Sequence, residues 1–389
     1  MTALPLVPLS AEEAAHEARV VAHIRRELAA AGGWLPFARY MELALYAPGL
    51  GYYAAGAHKL GAGGDFVTAP ELSPVFGRCL ASQAGEVLAT LGGGDLVEVG
   101  AGSGALAVEL LAELGRQGRL PGRYLILEPS PDLRQRQRAA LGCLPAAVAA
   151  RVGWLERPSA QPLRGVILAN EVLDALPVER FRIGATGVEA LGVALDGGHF
   201  VWAARPAHAE LAAAVAALDV PLAVGDESEL SPRVAPWLDA VTAPLAAGIV
   251  LLIDYGCARA EYYGPAHRGG TFACFHRQRR HEDPFVNVGL QDLTAWVDFT
   301  RVAEAALASG LGVAGYTTQA HFLLANGFEA HLAALRATLD PAREPLAARA
   351  ALRLVLPGDM GERFKCIALA RDYEAPLAGF ALRDFTATL

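Results

Sequence analysis

The chain has 389 residues, a formal net charge of −8 and 53% hydrophobic residues. That length suits one large α/β domain with additions or two domains, and the apolar content excludes extensive disorder. The negative charge removes any general attraction to nucleic acid or acidic membranes and leaves room only for a local basic cleft.

In chain order, residues 10–31 carry apolar positions at helical spacing among Glu, Arg and His and predict a helix. A short second helix is expected over Pro36 to Tyr46, stopped by Pro48-Gly49. Gly51-Tyr52-Tyr53 and a glycine-rich run to Asp65 follow, then Phe66-Val67-Thr68-Ala69-Pro70-Glu71. A segment so rich in glycine reads equally as a lid beside a pocket or as a plain surface connection. Residues 72–90 predict a helix leading into the first strand. Strands are expected near 95–100, 124–128, 151–155, 165–169 and 249–254, with helices between the early ones, which describes a doubly wound parallel sheet. Phe181-Arg182-Ile183 and His199-Phe200-Val201-Trp202 flank Asp196-Gly197-Gly198, so a hairpin or small meander is inserted after the fourth strand. Helices are expected over 207–218 and 231–246. Residues 255–300 form a long excursion, and 311–318 with 364–370 supply the last strands as an antiparallel edge.

The most informative segment is Leu96-Val97-Glu98-Val99-Gly100-Ala101-Gly102-Ser103-Gly104, an apolar strand entering a glycine-dense turn before a helix-forming stretch. Such a turn lets a cofactor lie against bare backbone. Gly100-x-Gly102-x-x-Ala105 satisfies the dinucleotide fingerprint, while Gly100-x-Gly102-x-Gly104 also satisfies the looser turn of S-adenosylmethionine enzymes. Glu98, at the strand end, disfavours a pyrophosphate and suits a cationic ligand. Glu128 closes the next strand 24 residues past Gly104, where an acid accepts ribose hydroxyls, a contact both cofactors make.

Asn170-Glu171-Val172-Leu173-Asp174-Ala175-Leu176-Pro177 directly follows the fourth strand and belongs at the carboxyl edge of the sheet. Glu171 and Asp174 share a face if this stretch is a helical turn. Two acids there suit a cationic substrate, although Asp174 also fits a helix cap. Asp254 closes the next strand, and Glu71, Glu227 and Glu229 are further acids available to a substrate. An arginine acceptor fits this set: its guanidinium stays charged, and carboxylates grip it in two-pronged fashion, aiming one nitrogen at the methyl donor. A small amine or a hydroxyl acceptor fits the same residues.

His276, Arg277, Arg279, Arg280, His281 and Asp283 form a basic tract without compact ligand spacing, so no metal is expected there. It reads as a loop that meets an acidic partner or closes through internal ion pairs. Cys79, Cys143, Cys257, Cys274 and Cys366 are odd in number with no C-x-x-C pair, which fits a reducing compartment. Apolar stretches are interrupted before membrane-spanning length, so no stable membrane insertion is expected. The start of the sequence turns acidic at Glu12-Glu13, unlike a secretory or organellar leader, and a cytoplasmic location is the expectation.

The ordered set of motifs resembles the MidA-like, NDUFAF7-type family of class I S-adenosylmethionine-dependent methyltransferases across nearly the whole chain. Its carriers include Tyr52-Tyr53, Gly63-Gly64-Asp65-Phe66-Val67-Thr68-Ala69-Pro70-Glu71, the glycine turn, Glu128-Pro129-Ser130, Asn170 to Pro177 and Ile253-Asp254-Tyr255-Gly256. It continues through Asp283 to Gly289, Gln291-Asp292-Leu293-Thr294, Thr318-Gln319-Ala320 and Met360-Gly361-Glu362-Arg363-Phe364-Lys365. Val172-Leu173 stands where the family often has aromatic residues, and Arg363 where a small or apolar residue is frequent.

The resemblance implies S-adenosyl-L-methionine as cofactor and a Rossmann-like, doubly wound, seven-stranded mixed sheet. It assigns Gly100, Gly102 and Gly104 to the cofactor turn, with Glu98 beside it, and Glu128 to the ribose. Asn170, Glu171 and Asp174 carry over as the motif beside the transferred methyl, while Glu71, Glu229 and Asp254 are expected toward the substrate as acids of this chain, apart from the resemblance. The eukaryotic mitochondrial member methylates an arginine of a respiratory complex I subunit, so a protein acceptor is implied; a homodimer is a separate expectation. A small-molecule methyltransferase and an assembly factor retaining the fold are the alternatives. Residues 1–90 are expected as an N-terminal helical and lid segment, and 91–389 as the methyltransferase core with insertions at about 178–245 and 255–308.

Overall fold

Parallel strands covered on both faces need near-continuous apolar runs, and Leu163–Asn170 and Leu245–Cys257 are such runs, with side chains buried along most of their length. In the computed structural model, which describes residues 8–54 and 68–389, they pair as adjacent parallel strands. The main sheet has eight strands, and its continuous path uses seven: β1 (Asp95–Val99), β2 (Tyr124–Leu127), β3 (Val152–Leu155), β4 (Leu163–Asn170), β5 (Leu245–Cys257), β6 (Gly312–Thr318) and β7 (Phe364–Arg371). Their spatial order is β6-β7-β5-β4-β1-β2-β3. β7 runs antiparallel to both of its neighbours, and the rest of the path is parallel. The expected doubly wound sheet with an antiparallel edge is therefore present. Its order reverses between β1 and β4, the place where open α/β sheets bind ligands.

These strands belong to a unit made of Val67–Val172, Ala235–Cys257 and Phe299–Leu389. Its core gathers Phe76, Leu80, Leu110 and Leu114 from the helices Pro74–Thr90 and Ala105–Arg116 with Leu96, Ile126, Leu168 and Leu251 from the strands. The expected 72–90 helix is divided into Ala69–Leu72 and Pro74–Thr90. Ser73 divides it: its backbone is extended, and its hydroxyl accepts the Val75 N–H at 3.3 Å to cap the second helix.

The other unit is assembled from Met1–Phe66, Leu173–Val234 and Ala258–Asp298. Helix Ala11–Ala30 begins at a capping box in which Ser10 and Glu13 exchange hydrogen bonds, and it buries Val20, Ile24 and Leu28. Strands Glu179–Gly184, Gly187–Asp196 and His199–Pro206 form the expected antiparallel meander, with Gly197 and Gly198 both at positive φ in the second turn. Phe37 packs on Tyr40, Trp202 and Phe272, with ring centroids 5.9, 4.8 and 5.0 Å away.

The 255–300 excursion is more regular than its composition predicts. Ala273–His276 pairs with Arg279–His281 and with Asp292–Thr294 in a three-stranded sheet. Its basic tract closes partly through internal ion pairs, Arg277 to Glu13 at 2.6 Å and Arg280 to Glu282 at 3.5 Å. The glycine-rich run before Phe66-Val67, read above as a lid or a connection, lies outside the described residues from position 55 onward.

Candidate functional site

The glycine turn leaves the carboxyl end of β1 with Gly100, Gly102 and Gly104 at φ 67°, 52° and 88°. Side-chain-bearing residues avoid such angles, so the sequence can make this turn cheaply only with glycine. Space is a second constraint. A methyl group built on Gly104 would come within 3.2 Å of the Gln137 Cα, and one on Gly100 within 3.1 Å of a Val172 methyl. The turn therefore lies against both the helix after β2 and the segment leaving β4.

Glu98 is 2% exposed, and the Tyr124 hydroxyl donates to its Oε2 at 2.6 Å. Burial raises its pKa from 4.5 to about 7; the Tyr124 hydrogen bond opposes the rise and nearby Glu128 adds to it. Glu128 stands at the carboxyl end of β2 and is also buried. Its Oε1 accepts the Ser130 N–H at 2.9 Å, and its Oε2 accepts the Gln137 amide at 3.2 Å. Burial raises this carboxyl too, against the pull of those two donors. Each Glu128 oxygen thus has one donor in place and a second lone-pair direction, a pattern that fits two neighbouring hydroxyls.

Asn170 ends β4, and Glu171 follows at φ 53°. The Glu171 N–H donates to the Ile253 carbonyl at 2.9 Å, and the next N–H, of Val172, to Asp254 Oδ2 at 3.1 Å. Glu171 Oε1 accepts the Asn170 side-chain amide at 3.0 Å and the Ala69 N–H at 3.2 Å. Ala69 opens the short helix that carries Glu71, so the start of that helix lies against Glu171. Among the described residues, the buried Asn170 Oδ1 and Glu71 Oε2 have no hydrogen-bond donor. A cluster of acceptors with two of them unmatched is chemically suited to a cation rich in N–H groups.

One expectation changes, and the other acids take definite places. The stretch after Asn170 is not a helical turn, because Glu171 takes a left-handed backbone angle and its N–H extends the sheet pairing instead. Asp254, 1% exposed, accepts the Val172 N–H at one oxygen and the Tyr255 N–H at the other, so it fixes the backbone beside Glu171. Glu229 is fully buried in the other unit. Thr271 donates to its Oε1 through both N–H and hydroxyl at 2.6 Å, and Tyr262 donates at 3.2 Å. Asp174 belongs to that same unit, where its carbonyl accepts the Ala295 N–H at 3.0 Å. Glu227 forms ion pairs there with Arg180 and Arg182, each at 3.6 Å.

Gln137 and Trp154 carry contacts that the sequence reading missed. Gln137 lies on helix Pro131–Leu141, where the only available signal was a polar residue one helical turn from the buried Leu141.

A model of S-adenosyl-L-methionine-dependent methyltransferases matches residues 79–317, more than half of the chain. The chain belongs to that family. A solved superfamily member from Burkholderia thailandensis, described as a methyl transferase and bound to S-adenosyl-homocysteine, is 42% identical. The similarity covers 99% of this chain and 100% of that one, with a TM-score of 0.93. Among curated relatives, the zebrafish mitochondrial protein arginine methyltransferase NDUFAF7 is 29% identical over 89% of this chain and 85% of its own length. The human protein of that name is 30% identical over 87% and 80%.

The enzyme's cofactor is therefore S-adenosyl-L-methionine, which supplies an electrophilic methyl group when bound, and the dinucleotide alternative falls away. The cytoplasmic expectation is corrected as well, since the relatives from zebrafish, Drosophila melanogaster and human are all named mitochondrial. No helix among the described residues is long and apolar enough to cross a membrane, and none of their His, Cys, Asp and Glu side chains form a metal-sized group.

Proposed function

We propose that this methyltransferase modifies arginine side chains of a partner protein. The observation that carries the proposal is the acceptor cluster of Glu71, Asn170 and Glu171, with Asn170 Oδ1 and Glu71 Oε2 unmatched. A guanidinium offers five N–H donors in a planar fork and keeps its charge at any physiological pH. The names of relatives that align over most of their length support the same acceptor. A respiratory complex I subunit, implied by the family resemblance, is the first acceptor to test.

In this reading the three glycines and Glu98 line the cofactor and Glu128 takes its ribose hydroxyls. Asn170 and Glu171 orient the guanidinium so that one nitrogen faces the methyl. Held there, S-adenosyl-L-methionine would supply the methyl as an electrophile to that nitrogen, with its sulfur as the leaving group. The proton then lost by nitrogen passes to a carboxylate or to water. Asp174, three residues beyond Glu171, stays a candidate for that carboxylate on sequence grounds.

The test is incubation with isotopically labelled S-adenosylmethionine and cell extract, followed by mass spectrometry of labelled protein. Methylarginine in a protein supports the proposal. Label confined to a small metabolite, or no label despite cofactor binding, overturns it.

A further inference from the structure

Gln137 is fully buried in the helix after β2, and both the nitrogen and the oxygen of its side-chain amide have partners. Nε2 donates to the Gly102 carbonyl at 3.1 Å and to Glu128 Oε2 at 3.2 Å, while Oε1 accepts the Trp154 indole N–H at 2.9 Å. The orientation of this amide follows from its partners. An indole can only donate, and a carbonyl and a carboxylate can only accept, so a flipped amide would lose all three bonds. Trp154 lies in β3, with the Arg138 guanidinium 4.7 Å from its ring centroid. The backbone of Gly104 also lies against the Gln137 Cα, so any movement of this residue is felt on both sides of the glycine turn.

We propose that Gln137, oriented by Trp154, is a positioning residue that holds the glycine turn and the Glu128 carboxylate at one fixed spacing for the cofactor. Its amide ties the carbonyl of the middle glycine to the acid at the end of β2. The two features that the cofactor must touch together are thereby linked by one side chain, which is itself aimed from the third strand. The amide also supplies one of the two donors that favour ionised Glu128, the form that accepts from both hydroxyls of a ribose. The inference rests on the placement of the ribose at Glu128 made above.

The test is calorimetric titration of the full chain with S-adenosylmethionine and with S-adenosylhomocysteine, for wild type, Glu128→Ala, Gln137→Met, Gln137→Glu and the Glu128→Ala/Gln137→Met double variant. Thermal unfolding of each confirms that it folds. Gln137→Met keeps the volume and removes the bonds, and its expected effect is a roughly tenfold or greater weakening for both ligands, the scale of one lost hydrogen bond to a charged group. KM for the cofactor should rise with little change in kcat. Gln137→Glu should weaken binding most above neutral pH and recover as pH falls, because a protonated carboxyl regains a donor toward Glu128. A purely structural glutamine would lower the unfolding temperature without this pH-dependent rescue.

In the double variant the two losses should be clearly less than additive, because part of the Gln137 effect acts through Glu128. Wild-type affinity in Gln137→Met, with weakened binding in Glu128→Ala, overturns the proposal and leaves the ribose placement standing. Wild-type affinity in Glu128→Ala overturns both.

Discussion

Replacing Glu98 with glutamine should stabilise the cofactor-free protein at alkaline pH and leave it almost unchanged in mild acid. The carboxyl is 2% exposed, and burial lifts its pKa from 4.5 to about 7. The folded state therefore favours the protonated form. Below the unfolded value both states hold the proton and burial of the ionised form costs nothing. Between 4.5 and about 7 the folded state binds more protons than the unfolded one, so stability falls as pH rises, and above about 7 the full cost applies. At about 1.4 kcal/mol for each tenfold change, the interval from 4.5 to about 7 is worth about 3 kcal/mol.

Glutamine keeps an acceptor for the Tyr124 hydroxyl, 2.6 Å from Glu98 in the native protein, and does not titrate. Urea unfolding followed by circular dichroism near pH ~5 and near pH ~8 gives the difference directly. The variant should gain up to about 3 kcal/mol on the wild type between those two conditions. A gap that is the same at both pH values, or one that shifts toward the wild type as pH rises, refutes the reasoning. A cationic cofactor beside the ionised group gives the opposite trend in binding: calorimetry should show wild-type affinity for S-adenosylmethionine rising as pH passes 7, with the slope lost in Glu98→Gln.

Asp254→Asn places an amide hydrogen against one of two backbone N–H donors, so it should cost about 1–3 kcal/mol in chemical denaturation and lower turnover by loosening Glu171. Wild-type stability in that variant would remove Asp254 from its supporting role. Gly104→Ala meets both a φ of 88° and a neighbour at 3.2 Å, and a loss of about 1–2 kcal/mol with weaker cofactor binding is expected in thermal unfolding and calorimetry. Full retention of both would mean that the turn relaxes without cost. Glu128→Ala should weaken cofactor binding, whereas Asp174→Ala should mainly slow methyl transfer. Equal loss of cofactor affinity in the two would refute that division of labour.

The main sheet was legible because buried parallel strands have a simple signature, short apolar runs between helix-forming segments. β1 through β5 each fall within a few residues of their expected positions, as do β6 and β7. The glycine turn was legible for a related reason, since three positive φ angles in five residues leave little choice of side chain. Glu171 was not, because its left-handed backbone is imposed by the Ile253 carbonyl on a neighbouring strand. The hairpin between Ala273–His276 and Arg279–His281 hid for a similar reason. Its turn residues Arg277 and Gln278 sit at φ 50° and 61° without the glycine or asparagine that usually announces such a turn. Asp254 and Glu229 were recognised as acids in suggestive places, but the Val172 and Thr271 N–H groups they accept lie too far along the chain for a one-dimensional reading to pair them. Gln137 shows the same limit from the other side: its three partners come from three different strand-linked segments.

The place of β7 in the sheet carries a consequence for how the protein is made. It is the last of the seven strands to be synthesised, yet it lies between β5 and β6, pairing with β5 from Gly248↔Arg371 to Tyr255↔Phe364 and with β6 along its other edge. Until residue 371 clears the ribosome, the nascent chain therefore holds two apolar strands with open hydrogen-bonding edges and nothing to place between them. Such edges recruit other chains as readily as their own partner. A stop codon shortly before Phe364 should therefore favour aggregation even though every residue around the glycine turn would still be present.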